Sequence, residues 1–317
     1  MTIPQNKITT LCLNPALDIT YHIRKLIVDQ KSRSDAARHD PGGNGINIGR
    51  ALKRMQIDNA KTFCVIAGQV GQILKNLLDQ QLDDVYYEQV DGETRINSTI
   101  IELDSHAQYQ VTDSGVCIPA TQLSHVIDDF VTTAGQGYAI MTGSCQPGIK
   151  SNLYAQLVAK IQQQGGKAVV DAHGEMLELA IAEKPFLIKP NKYELEAMLH
   201  SHLPTLEAIA HSARRIQLQG VTYVCVSLSE QGALLVGPDN SYYAKALPVP
   251  VNTTVGAGDS MVAGLIAGFV EKGHARDALK YGLACGAGTV MQPGTELFSN
   301  HDLPGFRKQV RIDTLDI

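Results

Sequence analysis

Apolar residues follow two alternating patterns in the second half of the chain. Short apolar runs at residues 138–142, 167–171, 186–189 and 223–228 alternate with longer segments in which apolar residues recur every three or four positions, at residues 151–164, 174–182, 192–199 and 206–219. The short runs are typical of buried strands, and the longer segments are typical of helices that cover them. Repeated strand–helix units with short connections predict an α/β fold, a doubly wound, mostly parallel sheet with helices on both faces.

The first part of the chain also contains a different pattern. Residues 7–13 and 61–67 are strand-like and residues 72–80 helical, but residues 97–103 and 107–111 predict an antiparallel hairpin that turns at residues 104–106. This hairpin and the apolar residues 19–23 do not fit a parallel sheet. We therefore predict one α/β domain over residues 1–317, with a small β-sheet lid formed by segments at about residues 15–40 and 95–112.

Composition narrows the range of partners. The chain has 317 residues, of which 44% are hydrophobic, and a net charge of -5. Nucleic acid is not an expected main partner of such a chain, and no basic run indicates a membrane surface. Residues 1–10 have no apolar core of a signal peptide, and no apolar stretch has the length of a membrane span. The six scattered cysteines suit neither a zinc site nor a disulfide framework, so we expect a cytoplasmic protein.

A run of small residues, Thr-Thr-Val-Gly-Ala-Gly-Asp-Ser at positions 253–260, opens directly onto an apolar helical segment. Gly256 and Gly258 lack a Cβ, so the backbone can turn there and let an anion approach N–H groups at a helix start. Asp259 puts a carboxylate where a negative ligand is already expected. It either takes a proton from a hydroxyl that attacks a phosphoryl group, or it caps the helix. The motif alone leaves both interpretations open.

A second glycine-rich run precedes the helical pattern that starts near residue 46. Gly43, Gly45 and Gly49 do not have the spacing of a dinucleotide-binding fingerprint, and the acidic residue that such a site requires does not follow. Glycine at this density suggests instead that the backbone itself lines a site. Asn47, on the first helical turn, is placed to reach the same ligand.

Polar residues collect where the predicted strands end, namely Ser144, Asp171, Asn191 and Ser227. The carboxyl ends of parallel strands meet at one edge of the sheet, where open α/β sheets bind ligands. Asn191 and Glu194 lie three residues apart at a helix start. Their oxygens suit a hydrated magnesium ion, but the same pair is also the signature of a capping box.

Two further sites come from the lid segments. Asp18 follows the first strand and Asn-Pro, and it is either a ligand of sugar hydroxyls or a turn-stabilising residue. Arg95, at the base of the hairpin, is a candidate phosphate clamp because a guanidinium makes a bidentate pair with phosphate. A single Arg beside a turn is usually a surface residue, so this interpretation depends on Lys31 and Arg33 lying nearby.

Together these motifs resemble the ribokinase/PfkB family of sugar kinases, over essentially the whole chain. The resemblance rests on Gly-Gly-Asn-Gly-Ile-Asn at 42–47, Thr-Val-Gly-Ala-Gly-Asp-Ser at 254–260, and Lys-Pro-Asn at 189–191 with Glu194. Asn-Pro-Ala-Leu-Asp at 14–18 and Thr-Arg-Ile-Asn at 94–97 are most similar to the phosphosugar kinases of the family, namely the minor bacterial 6-phosphofructokinase, 1-phosphofructokinase and tagatose-6-phosphate kinase. The chain departs from them at Asn44, where Lys or Gly is more frequent, and at Ser229, where Gly is usual.

The resemblance implies ATP and Mg²⁺ as cofactors and a role for each motif. Asp259 would be the base, and the backbone of Gly256, Ala257 and Gly258 would form the anion hole. Asn191, Glu194 and Asp171 would organise the magnesium, and ATP would lie beside Asn191, Ser227, Gly286 and Ala287. Asp18, Gly43 and Asn47 would hold sugar hydroxyls, while Lys31, Arg33, Arg95 and Ser144 would lie near the substrate phosphate. A monovalent cation such as K⁺ near residues 251–253 is a further implication.

The leading hypothesis is therefore an ATP-dependent kinase that phosphorylates the 1-hydroxyl of fructose 6-phosphate. The alternatives are 1-phosphofructokinase or tagatose-6-phosphate kinase, a neutral-sugar kinase, and a non-catalytic sensor of sugar phosphates or nucleotides. A P-loop kinase is excluded because the chain has no Walker A spacing. The apolar residues Ile19, Ile23, Ile100 and Val111 of the lid are expected to be exposed and to form a homodimer through the lid.

Overall fold

The computed structural model of the chain describes residues 7–105 and 107–317. Residues 1–6 of the segment tested for a signal peptide, and His106 in the predicted lid turn, lie outside the described residues. No helix among the residues that are described is both long enough and apolar enough to cross a membrane.

A ten-stranded sheet forms the centre of the molecule. Its strands are β1 (Ile8–Cys12), β4 (Ala60–Ala67), β5 (Val85–Val90), β8 (Tyr138–Thr142), β9 (Lys167–Asp171), β10 (Leu187–Ile188), β11 (Tyr223–Ser227), β12 (Ala233–Val236), β13 (Ser241–Ala244) and β14 (Asp313–Leu315). In space they follow the order β14-β13-β12-β11-β10-β9-β8-β1-β4-β5. The strands from β5 to β11 are parallel, and the last three pair antiparallel. The predicted mostly parallel sheet is confirmed.

Helices cover both faces of this sheet. They are α1 (Asn44–Arg54), α2 (Gly68–Leu78), α3 (Ala120–Ala134), α4 (Leu153–Gln163), α5 (Gly174–Ala182), α6 (Lys192–Leu199), α7 (Leu206–Leu218), α8 (Ala257–Lys272), α9 (Ala275–Val290) and α10 (Leu303–Gln309). Val169 and Val170, neighbours on β9, are both fully buried, because successive strand side chains point to opposite faces. Val170 belongs to the core under α3, α4, α5 and α7, and Val169 to the core under α1, α8 and α9.

The order of the strands places a crevice beside β1. From β1 the chain adds β4 and β5 on one side, and β8 with its successors on the other. In open α/β sheets ligands bind at the carboxyl ends of the strands where the order reverses in this way. The start of α1 and the start of α8 both contact this region, since the two helices pack against each other on the same face.

Close packing fixes the position of α8 against α9. A Cβ on Gly264 would lie 2.6 Å from the carbonyl oxygen of Tyr281, and a Cβ on Gly268 would lie 2.5 Å from the Cα of Ala278. Only residues without a side chain allow the two backbones to approach this closely. The glycines of α8 therefore fix the distance between α8 and α9, and with it the position of the glycine-rich loop that precedes α8.

A second, four-stranded sheet is separate from the first. It consists of β2 (Ala16–Ile23), β3 (Ala37–Gly42), β6 (Arg95–Glu102) and β7 (Gln108–Val111), in the order β3-β2-β6-β7. The predicted small sheet is confirmed, and β6 and β7 form the predicted hairpin. It is a mixed sheet, because β2 and β6 at its centre run parallel.

The expectation that the apolar residues of the lid are exposed was wrong for two of them. Ile19 and Ile23, expected to be exposed, are buried, because β2 is a central strand of the small sheet and packs near α2. Ile100 is half-buried, and only Val111 is exposed as expected. The polar end of the chain forms α10 and β14, of which β14 pairs with β13 through its backbone and so needs no apolar pattern.

Candidate active site

Asp259 lies in the first turn of α8 and is bound from another helix. Asn44 Nδ2 donates to its Oδ1, and Asn47 Nδ2 donates to its Oδ2, both at 2.9 Å. The N-cap of α8 is Gly256, at φ +75°, a left-handed conformation that glycine adopts without strain. The hydrogen bonds of the carboxylate thus link α8 to α1, which is not the geometry of a helix cap.

Burial raises the pKa of Asp259 to about 7. The hydrogen bond from Asn47 opposes this rise, the negative charge of Asp171 adds to it, and Lys189 and Asn44 lower the pKa again. A carboxyl group that gains and loses its proton near neutral pH is matched to general-base work there. The carboxylate is only 5% exposed, so its charge is not screened by bulk water.

The predicted anion cradle is the glycine-rich loop that leads into the first turn of α8. Thr253 Oγ1 accepts from Val255 N at 3.2 Å, and Ala257 N donates to Thr254 O over a long 3.4 Å. The N-terminal N–H groups of a helix carry a partial positive charge and lack intrahelical partners. A Cβ on Gly256 would lie 3.3 Å from Leu297 Cδ2, whereas the Cβ position of Gly258 has only Lys189 atoms within 4 Å, so an anion can approach the chain at Gly258.

A buried lysine beside the cradle has no assigned role in the sequence-based prediction. Lys189 Nζ is 3.1 Å from Asp171 Oδ1, and it is 3.6 Å from the position that a Cβ on Gly258 would occupy. Burial lowers the pKa of Lys189, but Asp171 more than offsets this, so the pKa is raised and the ammonium stays charged. Its place at the end of a predicted strand, like that of Asp171, is the signal that marks it in the sequence.

The residues predicted to lie beside ATP form two neighbouring groups. Asn191 and Ser227 form a bridge between neighbouring strand ends. A Cβ on Gly286 would lie 3.5 Å from the carbonyl oxygen of Ala257, so the segment with Gly286 and the half-buried Ala287 borders the cradle. Asn191 and Ser227 are thus neighbours and Gly286 borders the cradle, and the contact of these residues with a nucleotide remains a prediction.

Two of the candidate metal ligands, Asn191 and Glu194, bind each other at the start of α6. Asn191 Oδ1 accepts from Glu194 N and Glu194 Oε2 accepts from Asn191 N, both at 2.8 Å, which is a capping box. Among the described residues no three His, Cys, Asp or Glu side chains are grouped to hold a metal ion. Mg²⁺ commonly needs only one or two carboxylates, with water and phosphate oxygens completing its shell. Glu194 and Asp171 each have a second carboxylate oxygen, so they fit such an ion.

Asp18 faces an amide across the small sheet. Asn97 Nδ2 donates to Asp18 Oδ1 at 2.9 Å, and burial raises the pKa of Asp18 to about 6. A Cβ on Gly42 would lie 2.4 Å from the carboxylate, so the glycine makes room for it. Asn97 Oδ1 is buried and has no protein partner among the described atoms. This second polar pair, of which Asn97 was not singled out, suits ligand hydroxyls.

The basic residues of the predicted phosphate site lie on two different parts of the small sheet, the strand β6 and the loop between β2 and β3. Arg95 donates to the carbonyl oxygens of Asn14 at 2.8 Å, Asp113 at 3.1 Å and Pro15 at 3.4 Å. It therefore joins the loop after β1 to the end of β7. Lys31 and Arg33 lie on the exposed loop between β2 and β3, and no recorded contact among the described residues joins them to Arg95. Ser144 is exposed on the loop after β8.

Residues 251–253, the candidate region for a monovalent cation, are held against the end of α9. The N–H groups of Asn252 and Thr253 donate to the carbonyl oxygen of Val290 at 2.7 and 3.2 Å. Asn252 Nδ2 donates to the carbonyl oxygen of Met291 at 2.7 Å. The loop is therefore fixed by its backbone.

The sequence matches a model of known families described as pfkB family carbohydrate kinase, over residues 13–302. The chain belongs to the pfkB family of carbohydrate kinases. It is 30% identical to a 1-phosphofructokinase of Bacillus subtilis (strain 168), over 94% of this chain and 97% of the relative. It is also 30% identical to the ATP-dependent 6-phosphofructokinase isozyme 2 of Escherichia coli (strain K12), over 93% of this chain and 96% of the relative. The predicted family is confirmed.

Solved structures are similar over the same extent. Phosphofructokinase-2 from Escherichia coli in complex with potassium superposes with a TM-score of 0.90, at 30% identity, over 96% of this chain and 98% of that chain. The tetrameric inhibited form of the same enzyme has a TM-score of 0.88 at 28% identity, over 96% and 98% of the two chains. A ribokinase of Arabidopsis thaliana, at 16% identity, has a TM-score of 0.77 over 96% and 99%, which supports the ribokinase-like fold.

Proposed function

We propose that the protein transfers a phosphoryl group from ATP to the 1-hydroxyl of fructose 6-phosphate. The observation that carries this proposal is the buried carboxylate of Asp259, held by two amides beside the glycine cradle at the start of α8. A binding protein gains nothing from a carboxylate next to bound phosphates, whereas a kinase needs a base there. Family membership and relatives of both phosphofructokinase types support an ATP-dependent sugar-phosphate kinase.

The reaction assigns a task to each group around the cradle. Asp259 accepts the proton of the attacking hydroxyl, while the N–H groups of Gly256, Ala257 and Gly258 stabilise the charge on the transferred phosphoryl group. Lys189 adds a positive charge beside Gly258. Glu194 and Asp171, with Asn191, would hold Mg²⁺, which neutralises phosphate charge when it is bound. ATP would lie beside the residues Asn191, Ser227, Gly286 and Ala287.

The sugar would lie between α1 and the small sheet. Asp18, Gly43 and Asn47 would hold its hydroxyls, and Asn97 adds a buried acceptor next to Asp18. Arg95, Lys31, Arg33 and Ser144 would bind its phosphate. For Arg95 this means that some of its three bonds to carbonyl oxygens give way to phosphate.

The position of the substrate phosphate separates two candidates. The 1-phosphofructokinase and the 6-phosphofructokinase relatives are equally identical to this chain, at 30%, so 1-phosphofructokinase activity is the second candidate. A coupled assay of ADP formation with fructose 6-phosphate, fructose 1-phosphate, tagatose 6-phosphate, fructose and ribose tests both. We expect the highest kcat/KM with fructose 6-phosphate. A preference for fructose 1-phosphate selects the second candidate, and no turnover of any phosphosugar rejects the function.

The lid also suggests a homodimer. Val28, Leu103, Tyr109 and Val111 are exposed apolar residues of the small sheet and its loop, and a sheet edge such as β7 invites pairing. The Escherichia coli phosphofructokinase-2 has a form described as tetrameric. We expect light scattering to give a molar mass of two chains for the wild type and of one chain for Val111→Lys. A monomeric wild type at micromolar concentration would reject the dimer.

A monovalent cation is the remaining part of the proposal. The Escherichia coli neighbour is described in complex with potassium. We expect turnover to fall when K⁺ is replaced by tetramethylammonium, with residues 251–253 as the site. Equal rates in the two salts would remove the cation from the mechanism.

A further inference from the structure

The amide of Asn44 is confined on two sides. Its Nδ2 donates to Asp259 Oδ1 at 2.9 Å. On the other side, a Cβ on Gly143 would lie 2.9 Å from Asn44 Oδ1, so the amide fills the space that this glycine leaves open after β8. An ionised carboxylate can only accept hydrogen bonds, so the NH₂ group of Asn44 must be the one that faces Asp259. The orientation of the amide follows from this contact.

Asn44 and Asn47 hold different sides of the base. They lie three residues apart at the start of α1 and so on one face of the helix. Asn47 is 5% exposed and binds Asp259 Oδ2 from the buried side, whereas Asn44 is exposed and binds Oδ1 from the open side. Two donors on two oxygens remove the rotational freedom of the carboxylate. Each oxygen keeps a further lone pair for a substrate hydroxyl.

We infer that Asn44 is a positioning residue of the catalytic base, fixing the orientation of the Asp259 carboxylate and stabilising its ionised form from the open side of the site. This inference rests on the proposed role of Asp259 as the base. In the sequence Asn44 belongs to the Gly-Gly-Asn-Gly-Ile-Asn motif and is a departure from related kinases, without a role of its own. The structure gives it a contact that no other exposed side chain among the described residues is recorded to make with Asp259.

Charged groups from two strand ends also act on Asp259. Asp171 at the end of β9 disfavours its ionisation, and Lys189 after β10 favours it. Cys12 at the end of β1 stays a neutral thiol, because burial raises its pKa to about 12. None of these is a recorded hydrogen-bond partner of the carboxylate within the described chain. Loss of the Asn44 donor therefore raises the pKa of Asp259 further, with the other groups unchanged.

The test uses Asn44→Ala, which removes the donor, and Asn44→Asp, which puts a second carboxylate in its place. Asn152→Ala is the matched control, since Asn152 is an exposed residue at the start of α4 with no side-chain cap bond. A hydrogen bond to a charged group, weakened here by exposure, predicts a loss of about three- to tenfold in kcat for Asn44→Ala. KM values should change little. The acidic limb of the kcat/KM profile should move to higher pH, and further for Asn44→Asp.

A ¹³C NMR titration of the Asp259 carboxyl in the ligand-free protein provides a readout that needs no substrate. Its midpoint should rise in Asn44→Ala and rise further in Asn44→Asp, and stay at the wild-type value in Asn152→Ala. Unchanged midpoints, or an unchanged kcat and pH limb, would overturn the inference while an active wild type upholds the function. A wild type that turns over no sugar phosphate rejects the function, and shifted midpoints would then still support the contact.

Discussion

Asp259→Asn should change the stability of the fold in a manner that depends on pH. In the wild type an ordinary aspartate pKa of 3.8 is raised by burial to about 7. Between these values the folded chain retains a proton that the unfolded chain has already released. The free energy of unfolding therefore falls as pH rises through this window, by ~1.4 kcal/mol per pH unit from this residue. Above about pH 7 both states have released the proton, and the cost stays constant.

The magnitude follows from that window. From pH 5 to pH 8 the wild type should lose about 2 to 3 kcal/mol through Asp259, a loss from which Asp259→Asn is free because an amide does not titrate. The free energy of unfolding of Asp259→Asn also differs from the wild type by an amount that does not depend on pH, because its amide faces the two amide donors of Asn44 and Asn47. The effect of the buried carboxylate is therefore measured by how the difference in free energy of unfolding between the variant and the wild type changes with pH.

Urea unfolding followed by circular dichroism at pH 5 and pH 8 measures this difference for both proteins. Asp239→Asn, at an exposed position in the turn between β12 and β13, is the control for the change of a carboxylate to an amide. If the difference in free energy of unfolding between Asp259→Asn and the wild type is the same at the two pH values, ionisation of Asp259 does not destabilise the folded protein. The account of a base with a raised pKa is then refuted.

Three other substitutions test separate parts of the structure. Arg95→Ala should raise KM for the sugar phosphate about tenfold, leave KM for ATP unchanged, and lower the melting temperature, because three carbonyl oxygens lose their donor; an unchanged KM would remove it from the phosphate site. Ser229→Gly should raise the free energy of unfolding by up to about 1 kcal/mol, because Ser229 has φ +52°; urea unfolding should show no gain if the strain is absent. Gly264→Val should lower stability by at least about 2 kcal/mol through its contact with Tyr281, and a neutral result in urea would contradict the close packing.

The parallel sheet and the cradle could be predicted from the sequence because both depend on local patterns. Apolar periodicity predicts strands and helices. A glycine before an apolar helical segment indicates a left-handed turn of the chain, and Gly256 adopts this conformation before α8. The two interpretations of Asp259 could not be separated in the same way, since capping and catalysis use the same residue at the same place. Its bonds to Asn44 and Asn47 come from a helix that begins more than 200 residues earlier, and only the fold brings them together.

The remaining differences arise from local pairing in one case and from distant partners in the others. Asn191 and Glu194 form a capping box, which the pattern already allowed beside magnesium binding. Ile19 and Ile23 are buried because β2 pairs on both sides, which a single strand pattern does not reveal. Lys189 ends a predicted strand, but its position beside the cradle is revealed only by its ion pair with Asp171 and its distance from Gly258. Pairing partners distant in the sequence account for the burial of Ile19 and Ile23 and for the place of Lys189, whereas the capping box is a local pairing.

The central claim is that Asp259 takes the proton of the attacking hydroxyl, and steady-state kinetics of Asp259→Asn with ATP and fructose 6-phosphate test it most directly. The amide keeps the size of the side chain but cannot accept the proton, so kcat should fall by roughly 10² to 10⁴-fold while both KM values stay within about threefold of wild type. A folded Asp259→Asn protein with near-normal kcat would contradict the account.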